Sequence, residues 1–164
     1  MRILGIDPGL ALVGYGLIDV EGNNFNVVDY GVITTESTLD LPTRLEKIYE
    51  LLLQLIDTYQ PQDLAIEELF FNKNVKTAIT VGHARGVEIL ACKSRGLEIY
   101  EYTPLQIKQA ITGYGRAEKS QIQEMIKMLL NLEEIPKPDD AADALGVALT
   151  HGCALKFKEM YRMR

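Results

Sequence analysis

The sequence predicts a mixed-sheet α/β domain with helices on both faces of the sheet. Three observations lead there. The chain has 164 residues, the length of one domain. It is 47% hydrophobic and 24% charged, which fits a packed globular chain and excludes a disordered one. Five short apolar or β-rich runs alternate with segments of helical period, in the order three strands, helix, strand, helix, strand, helices.

Residues 2–7 are an apolar run ending at Asp7 and followed by Pro8-Gly9, the pattern of a buried strand entering a turn. Val13–Val20 and Asn26–Thr34 flank Glu21-Gly22-Asn23-Asn24 and predict a hairpin. From Leu41 the period changes: Leu45, Ile48, Leu52 and Leu55 fall at helical spacing, with Pro42 near the start and Pro61 just past the end. Asp63–Glu67 is a second buried strand that closes on a carboxylate. Val75–Arg95 is a long helix stopped by Gly96. Leu97–Tyr102 is a strand, and Pro104 opens a short helix to about Ile111. Gly113-Tyr114-Gly115-Arg116 is a loop, and Glu118–Leu130 is helical. Beyond Pro136 and Pro138, Asp139 or Asp140 is expected to cap a last helix running to about Leu155. Residues 1–155 are thus expected to form one domain. Residues 156–164, with four cations and Glu159, are expected to be a short basic tail that frays.

No apolar run has the roughly 18 residues of a membrane helix. An acidic residue and a proline within the first eight positions do not read as a signal peptide. Cys92 and Cys153 make no disulfide scaffold, and no Cys/His cluster has zinc spacing. Both read as buried thiols of a reducing compartment, so the cytosol is the expected location.

The net charge of −6 is not the footprint of a generic nucleic-acid binder. Its distribution says more: residues 1–71 carry −9, residues 72–128 carry +4 and residues 129–164 carry −1. A basic middle beside acidic segments suits a basic surface next to a carboxylate-rich pocket that metal would partly neutralise.

The candidate carboxylates sit at element ends. Asp7 and Glu67 each end an apolar strand, where sites of α/β sheets collect. Glu68 follows Glu67, and side chains alternate along a strand, so only one of the two aims at the site Asp7 faces. Asp140 and Asp143 share a helical face at a spacing of three, and Asp139 and Asp143 do so equally well at four. Capping and the helix dipole account for one of these acids well and for a second, but not for Asp143 among Ala and Leu. Such a carboxylate is costly unless paired or metal-bound. An oxygen-only cluster suits Mg²⁺ or Mn²⁺ rather than zinc. Two such ions about 4 Å apart activate a water and stabilise the leaving 3′ oxygen of a phosphodiester. Lys108 and Lys119, in the basic middle, are the candidate cations for the scissile phosphate.

Met1 to Gly9, followed by Gly14-Tyr15-Gly16, resembles the opening of the RuvC Holliday-junction resolvases. So does Ala65-Ile66-Glu67-Glu68-Leu69-Phe70 with Lys73-Asn74 after it. Ala84-Arg85-Gly86-Val87 is similar to the family's second-helix segment. Lys108-Gln109, Gly113 to Gly115 and Ala117 to Gln121 are similar to its basic loop region, and Asp140 to Leu145 with Thr150-His151 to its last helix. The motifs run in order from residue 1 to about 151.

The resemblance implies an RNase H-like fold with three antiparallel N-terminal strands followed by two parallel ones. It implies a homodimer that cuts four-way DNA junctions in a divalent-metal-dependent reaction, with two Mg²⁺ per site and Mn²⁺ able to substitute. The four acidic ligands carry over onto Asp7, Glu67, Asp140 and Asp143, which selects Asp140 over Asp139 by resemblance only. Lys108 and Lys119 match lysines near the scissile strand, and Phe70 matches an aromatic that contacts junction bases. Lys73, Lys76 and Arg116 are further candidate DNA contacts, while Phe71 reads as core. RuvA and RuvB are the branch-migration partners expected of the family. The long helix, with Gly82, Ala84 and Gly86, is the expected dimer surface. Gly5 to Gly9 also resembles the first phosphate-binding turn of the sugar-kinase, actin and chaperone ATPases. Their nucleotide lies between two domains, for which 164 residues is short. The same residues would also suit a non-cutting junction binder, or a nuclease acting on RNA or RNA–DNA hybrid.

Overall fold

The structure is a computed structural model and describes residues 1–69 and 75–164. The strands are β1 (Arg2–Asp7), β2 (Leu12–Glu21), β3 (Asn24–Thr34), β4 (Asp63–Glu67) and β5 (Glu98–Tyr102). The helices are α1 (Leu41–Tyr59), α2 (Val75–Ser94), α3 (Pro104–Thr112), α4 (Lys119–Leu129) and α5 (Asp139–Ala154). The sheet order is β3-β2-β1-β4-β5. β1, β2 and β3 pair antiparallel, and β4 pairs parallel with both β1 and β5. This is the RNase H-like arrangement that the sequence leads one to expect.

Strand alternation divides the core in two. Leu4, Ile6, Leu64 and Ile66 face α1 and α2, where they meet Ile48, Leu52, Ile56, Ala84, Ala91 and Cys92. Ile3, Ala65, Tyr100 and Tyr102 face the other way, onto α3, α4 and α5 through Ile107, Ile126, Leu145 and Ala148. By the same alternation Asp7 and Glu67 lie on the α5 side.

α5 lies against β1 and β2 because glycines clear its path. A Cβ on Gly5 would run into the Ala144 carbonyl, on Gly14 into the Asp140 carbonyl, and on Gly16 into Leu145. Gly14 is also the register partner of Asp7. The missing side chain therefore brings the start of α5 down beside the end of β1.

Three expectations are corrected. Neither Asp139 nor Asp140 caps α5: Pro138 is the N-cap, and both acids are already inside the helix. The tail does not fray as expected. Leu155–Tyr161 is a 3₁₀ helix, Tyr161 stacks near Tyr102, and Met163 donates its N–H to the Ile99 carbonyl at 3.0 Å. Cys92 is buried, but Cys153 is exposed. Apolar neighbours in sequence do not fix which side of a helical turn a residue faces, and Cys153 lines an open groove with Phe157 and Tyr161.

Candidate active site

Four carboxylates meet where β1 and β4 end and α5 begins. Asp7 is half-buried, and its carboxyl is pushed up to about 8. Burial is the main cause, followed by repulsion from Asp143, Glu67 and Asp140. Burial and Asp143 also push Glu67 up. Asp143 is raised by burial against the pull of Lys119. Asp7, Glu67 and Asp143 resist ionisation chiefly because they are partly dry, and neighbouring carboxylates add to the effect. Glu67, not Glu68, is the strand-end acid that joins Asp7, as alternation along β4 requires.

Lys119 is the cation of this cluster. Its Nζ lies 3.2 Å from Asp143 Oδ2 and 3.1 Å from Asp139 Oδ2. It stands at the first position of α4, where the helix dipole disfavours positive charge. Gln121 Oε1 holds this helix start by accepting the Glu118 N–H at 2.9 Å and the Tyr114 hydroxyl at 2.7 Å. Asp139 is exposed, also accepts from Gln123 at 3.1 Å, and is held below the usual carboxylate range mainly by Lys119. Asp140 is among the charges that raise Asp7.

A groove opens on either side of the carboxylates. One, of about 250 Å³, is rimmed by Glu67, Asp143, Lys108 and Lys119 over an apolar floor that includes Ile107 and Ile126. The other, of about 520 Å³, runs from Pro8–Leu12 to α2 and carries Asp140, Arg44 and Lys76. Arg116 is exposed in the loop before α4. Phe70, Phe71 and Lys73 lie outside the described residues.

All the donors of the cluster are hard oxygens, and the carboxyls of Asp7, Glu67 and Asp143 are pushed toward their neutral forms. Lys119 supplies one positive charge, shared between two acids. The donor set thus fits divalent Mg²⁺ or Mn²⁺. Among the described residues no three His, Cys, Asp or Glu side chains close on a single point as they stand. Asp143 is turned to Lys119 instead.

A family model, "Crossover junction endodeoxyribonuclease RuvC", matches residues 3–151. The chain belongs to the RuvC family. A RuvC of Alkaliphilus oremlandii is 60% identical over 164 residues, all of both chains. The RuvC structure of Thermus thermophilus superposes with a TM-score of 0.91 at 33% identity, covering 99% of each chain. A T. thermophilus RuvC solved in complex with a Holliday junction substrate superposes with a TM-score of 0.88 at 32% identity, over 95% of this chain and 96% of that one.

Sequence reading did not single out Arg44, Gln121 or the glycine path under α5. Glycines inside strands were a readable signal for close approach. Arg44, one of two cations in an acidic stretch with Lys47, carried none.

Proposed function

We propose that this chain is a divalent-metal-dependent endonuclease that resolves four-way DNA junctions by paired, symmetric nicks in recombination and repair. The observation that carries the reading is the crowding of Asp7, Glu67, Asp140 and Asp143 between two grooves flanked by cations. The RuvC relatives, one of them solved on a Holliday junction, support the choice of substrate.

Asp7, Glu67, Asp140 and Asp143 would hold two Mg²⁺, with Mn²⁺ as a substitute. When bound, the ions supply activation of the attacking water and charge stabilisation at the departing 3′ oxygen. The chain's own residues do the rest. Lys119, on the helix start that Gln121 holds and paired with Asp143, offsets charge on the scissile phosphate. Lys108 orients the same strand from the other wall of the groove. Arg44 and Lys76 receive backbone phosphates on the far side, and Arg116 adds a contact from its loop. Phe70 and Lys73, named from the sequence, complete the proposed contacts to junction bases and backbone.

A junction has approximate two-fold symmetry, and a C2 dimer presents two sites to opposing strands. The proposed surface is the outer face of α2. Val75, Ile79 and Leu90 are 73%, 55% and 59% exposed, and Gly82 and Gly86 have open space above them. Ala84, expected on this face, is instead buried against the chain's own sheet. The reading extends to RuvA and RuvB as partners and to the cytoplasm as location. No helix among the described residues is long and apolar enough to cross a membrane.

The test is cleavage of a labelled four-way junction in Mg²⁺, beside a matched linear duplex, an RNA–DNA hybrid and the Asp7→Asn protein. Paired nicks in the junction alone, absent in the variant, are expected. Binding without nicks in Mg²⁺ or Mn²⁺ would make the chain a binding module, and cutting of the hybrid alone an RNase.

A further inference from the structure

The strand ends carrying Asp7 and Glu67 are both held by α2, from the opposite face of the sheet. Arg85 and Glu88 are three residues apart on that helix and share a face. Arg85 Nε donates to the backbone carbonyl of Glu67 at 3.2 Å, and its Nη2 pairs with Glu101 Oε2 at 3.0 Å. Glu88 has no exposed surface, and its Oε1 accepts the N–H of Gly9 at 3.4 Å, two residues beyond Asp7. The Pro8-Gly9 turn is tight: a Cβ on Gly9 would run into the Leu12 carbonyl.

Packing does not explain Glu88. Its Oε2 has no hydrogen-bond partner among the described residues, and a buried oxygen without one costs stability. An apolar side chain of similar length would fill the space without that cost. Burial pushes the Glu88 carboxyl up to about 8, so it is neutral near pH 7 and still serves as an acceptor. What the residue supplies is a fixed partner for one backbone N–H beside the site.

We infer that Arg85 and Glu88 are positioning residues that set the spacing of the strand ends bearing Asp7 and Glu67, through the Glu67 carbonyl and the Gly9 N–H. The inference rests on reading the carboxylate cluster as the active site. Neither residue touches the substrate in this account. They act because carboxylates that share ions tolerate little misplacement, and an error of about 1 Å costs up to about a hundredfold in rate.

The experiment follows single-turnover cleavage of a four-way junction against Mg²⁺ concentration, with junction affinity in Ca²⁺ and Tm measured separately. Glu88→Met removes the acceptor but keeps the volume. It is expected to keep or raise Tm, leave junction affinity within about twofold, slow cleavage about tenfold and raise the Mg²⁺ needed for half-maximal rate. Glu88→Gln keeps an acceptor oxygen and is expected within about threefold of wild type. Arg85→Lys keeps the charge, loses the two-armed geometry and is expected to slow cleavage about tenfold. A Glu88→Met protein with wild-type rate and Mg²⁺ dependence overturns the inference, as does equal loss in the Met and Gln variants. If the Met variant fails to fold, Arg85→Lys decides: a wild-type rate and Mg²⁺ dependence in it overturns the inference. A folded wild type that cuts no junction overturns the functional reading, and this inference with it.

Discussion

Asp7 and Asp63 lie on the same face of the same sheet, under opposite ends of the same helix, yet their carboxyls move in opposite directions. Asp63 opens β4, under the C-terminal end of α5. Burial alone would raise it, but hydrogen bonds from His151 at 2.9 Å and Lys158 at 2.8 Å outweigh burial and hold it below its usual value. His151 is itself fixed, with Tyr102 on its Nδ1 at 2.7 Å and Tyr100 stacked on its ring. Asp7 ends β1, under the N-terminal end of α5, and has other carboxylates where Asp63 has a lysine and an imidazole. At one end the protein supplies the counter-charge from its own chain. At the other, Lys119 stands against several acids, and the proposed metal ions would fill the remaining deficit. Burial is common to both, so the supply of partners separates a structural end from the proposed reactive one.

The largest expected effect breaks the reactive end. Asp7→Asn should lower single-turnover junction cleavage roughly a thousandfold or more, about 4 kcal/mol in barrier, with junction binding retained. Equal loss of binding and cutting would contradict a purely catalytic Asp7. The matching change at the other end should behave oppositely. Asp63→Ala leaves His151 and Lys158 facing a hole and should cost roughly 3–5 kcal/mol of stability in denaturant unfolding. Its cleavage rate should stay near wild type wherever it is folded.

The two ends should also respond to pH with opposite sign. Asp63 is depressed in the fold, so its contribution is present above the unfolded value near 4 and lost as pH falls through the folded value. Asp7 is raised to about 8, so its contribution is present below about pH 4 and lost as pH climbs toward 8. Without metal, Asp7→Asn should therefore match wild type at acid pH and exceed it by up to a few kcal/mol at pH 8. A smaller effect concerns the shared cation. Lys119→Ala should slow cleavage roughly 10- to 100-fold while changing stability little, since its ion pairs are half-exposed.

Much of this architecture was legible in the sequence, for reasons that show its limits. Asp7 and Glu67 were readable because a carboxylate closing an apolar run has few structural excuses, and Asp143 because it sits among Ala and Leu. Asp139 and Asp140 were not separable, since spacings of three and four share a helical face equally well. The choice of Asp140 came from the family resemblance, not from spacing. The Asp63–His151–Lys158 network joins positions up to 95 residues apart and leaves no local pattern. The docking of the tail has the same origin: a run rich in cations reads as solvated until its partners on β4 and β5 are known.

The most direct test of the contrast is the Tm of wild type and Asp7→Asn at pH 8, with and without Mg²⁺. The account predicts that the metal-free variant is the more stable of the two. Mg²⁺ should then reverse the order by stabilising wild type much more than the variant. A metal-free variant no more stable than wild type, or an equal rise with Mg²⁺ in both proteins, would contradict it.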